Sequence, residues 1–393
     1  MALNFQQVVD KIMTIGAGTR ERQEALAQRR AQARSLLDDW ADKPAELTAK
    51  VERARTADPS LRCALPPAGR LDDSAPEPGA QGPVTLLAAD GSQVAPDRHA
   101  SLLFSLVNVG AVVQRTGSGA APEVFTDSTL LYADELYTPA GMLTEEAVEQ
   151  QRDLAERRML LDLAPRFPAP QIALTDGPVE LWGAKGAEGE GYRHNLELHK
   201  SILSQLQARG VTVAGYVDKP GADLVVRTLE VATLADDQIK DVRTLRPLRG
   251  VSDRWLFGEG GLLPAGSRSA VFGLQSSSRL HYNGDLALHF FYLNVGDARH
   301  PALVRVEVPR WVAEDATGLD RLHVALLEQC RILGARPYPY LLHRAHETAV
   351  VKFDEKRQVE QLLALELRRN GGEVEDPSAK QSAKDLAGRT RTM

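Results

Sequence analysis

The order of elements along the chain predicts an α/β fold around a mixed sheet, with flanking helices and an N-terminal helical arm. Three observations predict it. Strand-like runs come first in a group of three. Helices with clear start and stop signals then separate later strands. Two of the strands, "LLAADGS" and "IALTDGP", end on Asp-Gly.

Residues 1–62 read as the arm. "TRERQEALAQRRAQARSLLDDWADKPAELTAKVERART" is rich in helix formers, with a break at Lys43-Pro44. Residues 63–83, rich in Pro, Gly and Ala, read as a linker. "VTLLAAD" (84–90) has the continuous apolar composition of a buried strand. "SLLFSLVNVGAVVQRTG" (101–117) is a second strand bent at Gly110, and "PEVFTDSTLLYA" (122–133) a third. A helix over 143–164 is capped by Thr144 and carries acids in its first turn. "PQIALTDG" (170–177) is a strand, 193–210 a helix stopped by Gly210, and 211–221 a strand. Helical and irregular segments lead to about residue 265, and "RSAVFGL", "LALHFFYLNVG" and "ALVRVEVPRWV" give three more strands. A helix covers 318–334 and a last one about 343–369, with a disordered tail at 370–393. The region 84–369 is thus a single core domain. Three strands, helix, strand, helix, strand is the order of a ribonuclease-H-like (Piwi-like) fold, in which the first and fourth strands lie side by side.

Bulk composition narrows the function classes. The chain has 393 residues, 43% hydrophobic and 25% charged, ordinary for a globular protein. No apolar run has the length of a membrane span, and the N-terminus lacks the block of a signal peptide, so a cytoplasmic, membrane-free protein is expected. The two cysteines, Cys63 and Cys330, have no zinc spacing and read as free thiols. A net charge of −6 argues against general affinity for nucleic acid but not against a local basic groove. No phosphate-binding Gly-x-x-x-x-Gly-Lys-Ser/Thr loop and no Gly-x-Ser-x-Gly elbow occurs.

The chemistry rests on acids. Asp90 and Asp176 close two apolar runs. Read alone, Asp-Gly is a turn; read as a pair, adjacent carboxylates repel, and a shared cation relieves both the repulsion and the desolvation. Such oxygen ligands suit Mg²⁺ or Mn²⁺, and two ions about 4 Å apart can hold a phosphodiester and support its hydrolysis. A third carboxylate should come from the 143–164 helix, where Glu145, Glu146, Glu149, Glu156 and Asp162 are candidates. Glu156, at the edge of the packed stripe, is either a ligand or a solvated residue paired with arginines. In "ARPYPYLLHRAHETAVVKF", His346 is a ligand, a phosphate contact, a general acid or base, or a structural histidine. Tyr338 could meet a phosphate or a base, or simply pack. Lys219 in "GYVDKPG" and Arg243, Arg246 and Arg249 in "KDVRTLRPLRG" are candidate DNA-backbone contacts, with turn or loop roles as the alternative.

In order and spacing, "AADGSQVAPDRH", "AERRMLL", "LTDGPVE", "GYVDKP", "VRVEVPRWV" and "YPYLLHRAHETAV" resemble the NurA nuclease family from about residue 84 to 355. The resemblance implies a dimeric ribonuclease-H-like enzyme that degrades DNA with Mn²⁺ or Mg²⁺. It implies a site of Asp90, Glu156 and Asp176, with His346 as the C-terminal histidine and Tyr338 as the tyrosine before it. It also implies HerA, a hexameric DNA-translocating ATPase, as partner, and double-strand-break end resection as the setting. A rival reading of another class is a catalytically weak DNA-binding adaptor that docks on the translocase, possibly in phage defence; a third is an RNA-directed hydrolase of the same fold.

Overall fold

The computed structural model describes residues 3–138, 141–182, 190–372 and 374. In chain order the helices α1 (Phe5–Ala17), α2 (Thr19–Trp40) and α3 (Pro44–Ala57) precede the short strands β1 (Cys63–Leu65) and β2 (Ser74–Ala75). Strands β3 (Thr85–Val94), β4 (Phe104–Arg115) and β5 (Glu123–Tyr132) follow, then the two-residue pair β6 (Tyr137–Thr138) and β7 (Gly141–Met142). Next come α4 (Glu145–Leu163), β8 (Gln171–Asp176), α5 (Glu190–Ala208), β9 (Thr212–Val217) and α6 (Leu224–Thr233). Strands β10 (Arg268–Ser269), β11 (Phe272–Gln275), β12 (Leu288–Asn294) and β13 (Leu303–Pro309) lead to α7 (Arg310–Ala313), α8 (Ala316–Ile332), α9 (Tyr340–Ala349) and α10 (Phe353–Arg369).

The chain divides into two compact units, Met1–Gln81 with Tyr216–Pro337, and Gly82–Gly215 with Tyr338–Met393. In the first unit, β1, β11, β12 and β13 form an antiparallel run. α3 is packed into this unit: Val51 and Ala54 lie with Cys63, Val231 and Leu234 in one buried cluster. The expected linker holds β1, paired with β11, and β2, paired with β10. Most of the expected tail lies outside the described residues.

The second unit carries the strand order β9-β8-β3-β4-β5. β3 runs antiparallel to β4 and parallel to β8, as the ribonuclease-H-like order requires. Leu86, Leu87, Ala88 and Ala89 are all fully buried, because a strand covered on both faces needs apolar residues at every position. The expectation that β3 stops at Asp90 is corrected. Its parallel pairing with β8 ends at Ala89↔Thr175, but its antiparallel pairing with β4 continues to Val94↔Leu106. Asp-Gly here is therefore not a turn; it marks the point where β3 loses one of its two neighbours.

The last helix is also corrected. Residues 343–369 are not continuous: α9 ends at Ala349 and α10 starts at Phe353. The break has a local cause. Ser92 Oγ donates to the Ala349 carbonyl at 2.6 Å, and Asn108 Nδ2 donates to the same carbonyl at 2.7 Å. Val351 N then donates back to Ser92 Oγ at 3.0 Å. Strand side chains thus satisfy a carbonyl that the next helical turn would otherwise claim. After the break, Val359, Leu363 and Leu367 of α10, spaced by four, pack on Phe104 and Leu106. No helix among the described residues is long and apolar enough to cross a membrane.

Candidate active site

Two glycines allow two helices to close on β3 and β4. A Cβ on Gly110 would lie 2.7 Å from both the Ala345 carbonyl and the Ala349 amide of α9. A Cβ on Gly91 would lie 2.5 Å from Arg152 Cγ and 2.8 Å from Glu156 Oε1 of α4. Asp90 pairs directly with Gly110 across the ladder, so both point to the α9 face, while Gly91 points to the α4 face. α9 and α4 thus sit on opposite faces of the same strand.

On the α9 face, Asp90 Oδ2 accepts from His346 Nδ1 at 2.7 Å, and Asp90 Oδ1 accepts from the Gly91 amide at 2.8 Å. The Asp90 side chain is 15% exposed and that of His346 61% exposed, so the pair opens to solvent through the imidazole. A carboxylate can only accept, so Nδ1 carries the proton and Nε2 is left for other partners. Asp176 is the last residue of β8, one register step beyond the Ala89↔Thr175 pair. It lies one residue past the last paired position, exposed at the end of the strand next to β3. Gly177, at φ +89, turns the chain away immediately after it.

On the α4 face, Glu156 is buried, whereas Glu145, Glu146, Glu149 and Asp162 are exposed. Its nearest cation is Arg152, at 3.4 Å. Arg152 is shared: it also donates to Gln93 Oε1 at 2.9 Å and to Asp153 Oδ1 at 2.8 Å. Burial, reinforced by the charge of Asp153 and in smaller part that of Asp90, pushes the Glu156 carboxyl up to about 8, against the pull of Arg157 and Arg152.

The remaining sequence candidates divide. Tyr338 is half-buried two residues before α9, in the same unit as Asp90. Lys219, Arg243, Arg246 and Arg249 belong to the other unit. Lys219 is exposed and adopts φ +46. Arg243 and Arg249 are exposed. Arg246 bonds to Asp223 and, at 2.8 Å, to Glu230, so its guanidinium already has two carboxylate partners. Sequence reading took Gly110 as a bend and Gly91 as half of an Asp-Gly pair, and passed over Ser92 and Asn108. The signal was present for the glycines, since a lone Gly inside a strand marks a close backbone approach.

The donors have the chemistry of a hard divalent cation site: carboxylate oxygens with one imidazole. Glu156 further fits, as a buried carboxyl whose ionised form lacks a dedicated counter-charge. No preformed cage exists, because among the described residues no three His, Cys, Asp or Glu side chains are grouped to hold a metal ion. Asp90 is engaged with His346, and Glu156 with Arg152.

Fold and site together define a ribonuclease-H-like α/β protein with acids on both faces of its central strand. The NurA domain model matches residues 84–351, and the chain belongs to the NurA family. Its fold is similar to that of the NurA nuclease from Sulfolobus solfataricus, at 11% identity and a TM-score of 0.51, covering 93% of this chain and 98% of that one. A more distant likeness is the catalytic domain of human Endonuclease V, at 17% identity and a TM-score of 0.33, covering 80% of this chain and 96% of that one. No curated protein matches the sequence.

Proposed function

We propose that the protein is a metal-dependent DNA nuclease whose site is Asp90, Asp176, Glu156 and His346. The observation that carries the proposal is the Asp90–His346 contact at 2.7 Å, at the strand level where Asp176 closes β8. It joins residues 256 positions apart in a chain of the NurA family. Mn²⁺ or Mg²⁺ ions, when bound, would neutralise a phosphodiester and activate water for its hydrolysis. Asp90 and Asp176 would hold the cation from one face of the sheet. Glu156, which lies against Gly91 on the α4 face, would offer a further carboxylate from the other side of β3. His346, exposed and oriented through Nδ1, would present Nε2 to a phosphate oxygen or to a proton in transfer. Tyr338 would stand at the approach to the same face. Lys219, Arg243 and Arg249 would contact the DNA backbone, while Arg246 serves the fold. A homodimer working with a HerA-type hexameric translocase in DNA end resection is the setting we propose, on the strength of family membership.

The test is digestion of end-labelled linear DNA with Mn²⁺, Mg²⁺ or EDTA. Cleavage should require the metal and fall about 10³-fold in Asp90→Ala, the scale of several kcal/mol of lost transition-state stabilisation. Cleavage by Asp90→Ala at the parent rate would remove Asp90 from the site.

A further inference from the structure

We propose that Arg157 is a positioning residue that fixes Asp176 for the nuclease site; the proposal rests on the nuclease reading above. Arg157 is buried in the middle of α4 and is 5% exposed. Its Nη1 donates to the Asp153 carbonyl of its own helix at 2.8 Å. Its Nη2 reaches off the helix and donates to the Pro178 carbonyl at 3.0 Å. Pro178 lies two residues after Asp176, in the turn that Gly177 opens.

The same turn is also packed closely against β9. A Cβ on Gly215 of β9 would fall 2.5 Å from the Gly177 carbonyl, 2.8 Å from the Val179 amide and 2.9 Å from the Pro178 carbonyl carbon. Residues 177–179 are therefore contacted by both the bare backbone of β9 and the guanidinium of Arg157. Since β8 pairs with β3 only to Thr175, no ladder pairing with β3 fixes Asp176 itself. The contacts on the next turn fix the backbone from which its carboxylate projects. Arg157 is next in sequence to Glu156, so one stretch of α4 places two acids: Glu156 directly, and Asp176 through the Pro178 carbonyl. A buried arginine suits this task. Its planar fork reaches two carbonyls from two nitrogens at fixed angles, whereas a lysine's donors all radiate from one freely rotating nitrogen.

The experiment compares full-length wild type, Arg157→Lys and Arg157→Gln. Three readouts are taken: hydrogen exchange of the 172–182 segment, Mn²⁺ affinity by the loss of free-ion paramagnetic signal, and the Mn²⁺ concentration for half-maximal DNA cleavage. Thermal unfolding confirms which variants are folded. Arg157→Lys, the milder change, should stay folded, exchange the Gly177 and Val179 amides faster, and weaken Mn²⁺ binding about tenfold, as loss of an orienting partner typically does. Cleavage at saturating Mn²⁺ should recover in Arg157→Lys more than in Arg157→Gln. A merely structural role would lower the melting temperature and leave the Mn²⁺ affinity of the folded protein unchanged; that result overturns the proposal. Unchanged exchange at Gly177 and Val179 overturns it equally. If wild type itself binds no Mn²⁺ and cuts no DNA, the nuclease reading fails first, and the failure is told apart because it appears without any variant.

Discussion

Two buried glutamates, one in each unit, make opposite uses of the same side chain. Glu230, in α6, accepts from Arg227 at 2.6 Å, from Arg246 at 2.8 Å and from the Leu248 amide at 2.9 Å. Both of its oxygens are engaged, by two guanidinium groups and a backbone amide. Glu156, in α4, is as deeply buried but has one arginine at 3.4 Å, which it shares with Asp153 and Gln93. Burial then dominates, and its carboxyl is pushed up to about 8. A buried acid with a complete set of partners ties a fold together; one left short of partners keeps its proton well above the usual carboxylate range.

The comparison is broken most strongly at Glu230. Glu230→Ala leaves two arginines facing a void and should cost about 3–5 kcal/mol, read from the denaturant midpoint. Glu156→Ala with an equal loss would erase the distinction. Glu156 sharpens it through pH. Its folded value of about 8 lies above its ordinary 4.5, so the folded state holds the extra proton between these limits. Its contribution is fully present below about 4.5 and is lost as pH rises through about 8. Glu156→Gln, which cannot ionise, should therefore be more stable than wild type at pH 8 by a few kcal/mol. Equal pH profiles for the two proteins, by thermal unfolding, would show that Glu156 does not titrate in this window. A smaller effect is expected at Gly110. Gly110→Ala drives a Cβ into the Ala345 carbonyl and the Ala349 amide. It should cost about 1–3 kcal/mol and shift α9, weakening cleavage through His346. Unimpaired stability would mean that α9 yields freely.

Much of this was legible in the sequence, for physical reasons that differ by residue. Asp90 and Asp176 stood out because a polar residue closing an apolar run is a local signal. The helix of α4 was legible from its cap, where Thr144 Oγ1 accepts from the Ala147 amide at 3.2 Å. Glu156 could be shortlisted from its stripe, but its selection over Glu149 or Asp162 depends on Gly91, a strand residue more than sixty positions away. The split between α9 and α10 was hidden because Ser92 and Asn108, which cause it, lie over 240 residues from Ala349. Arg246 illustrates the reverse error. A basic loop reads as a phosphate contact until Asp223 and Glu230 are seen to hold it.

The most direct measurement is the shift in melting temperature on adding Mn²⁺ at pH 7 to wild type and to Glu156→Gln. If Glu156 is an acid awaiting a cation, Mn²⁺ should raise the midpoint of wild type and raise that of Glu156→Gln much less, since binding to the folded state alone stabilises it. No shift in wild type, or the same shift in both, would contradict the account.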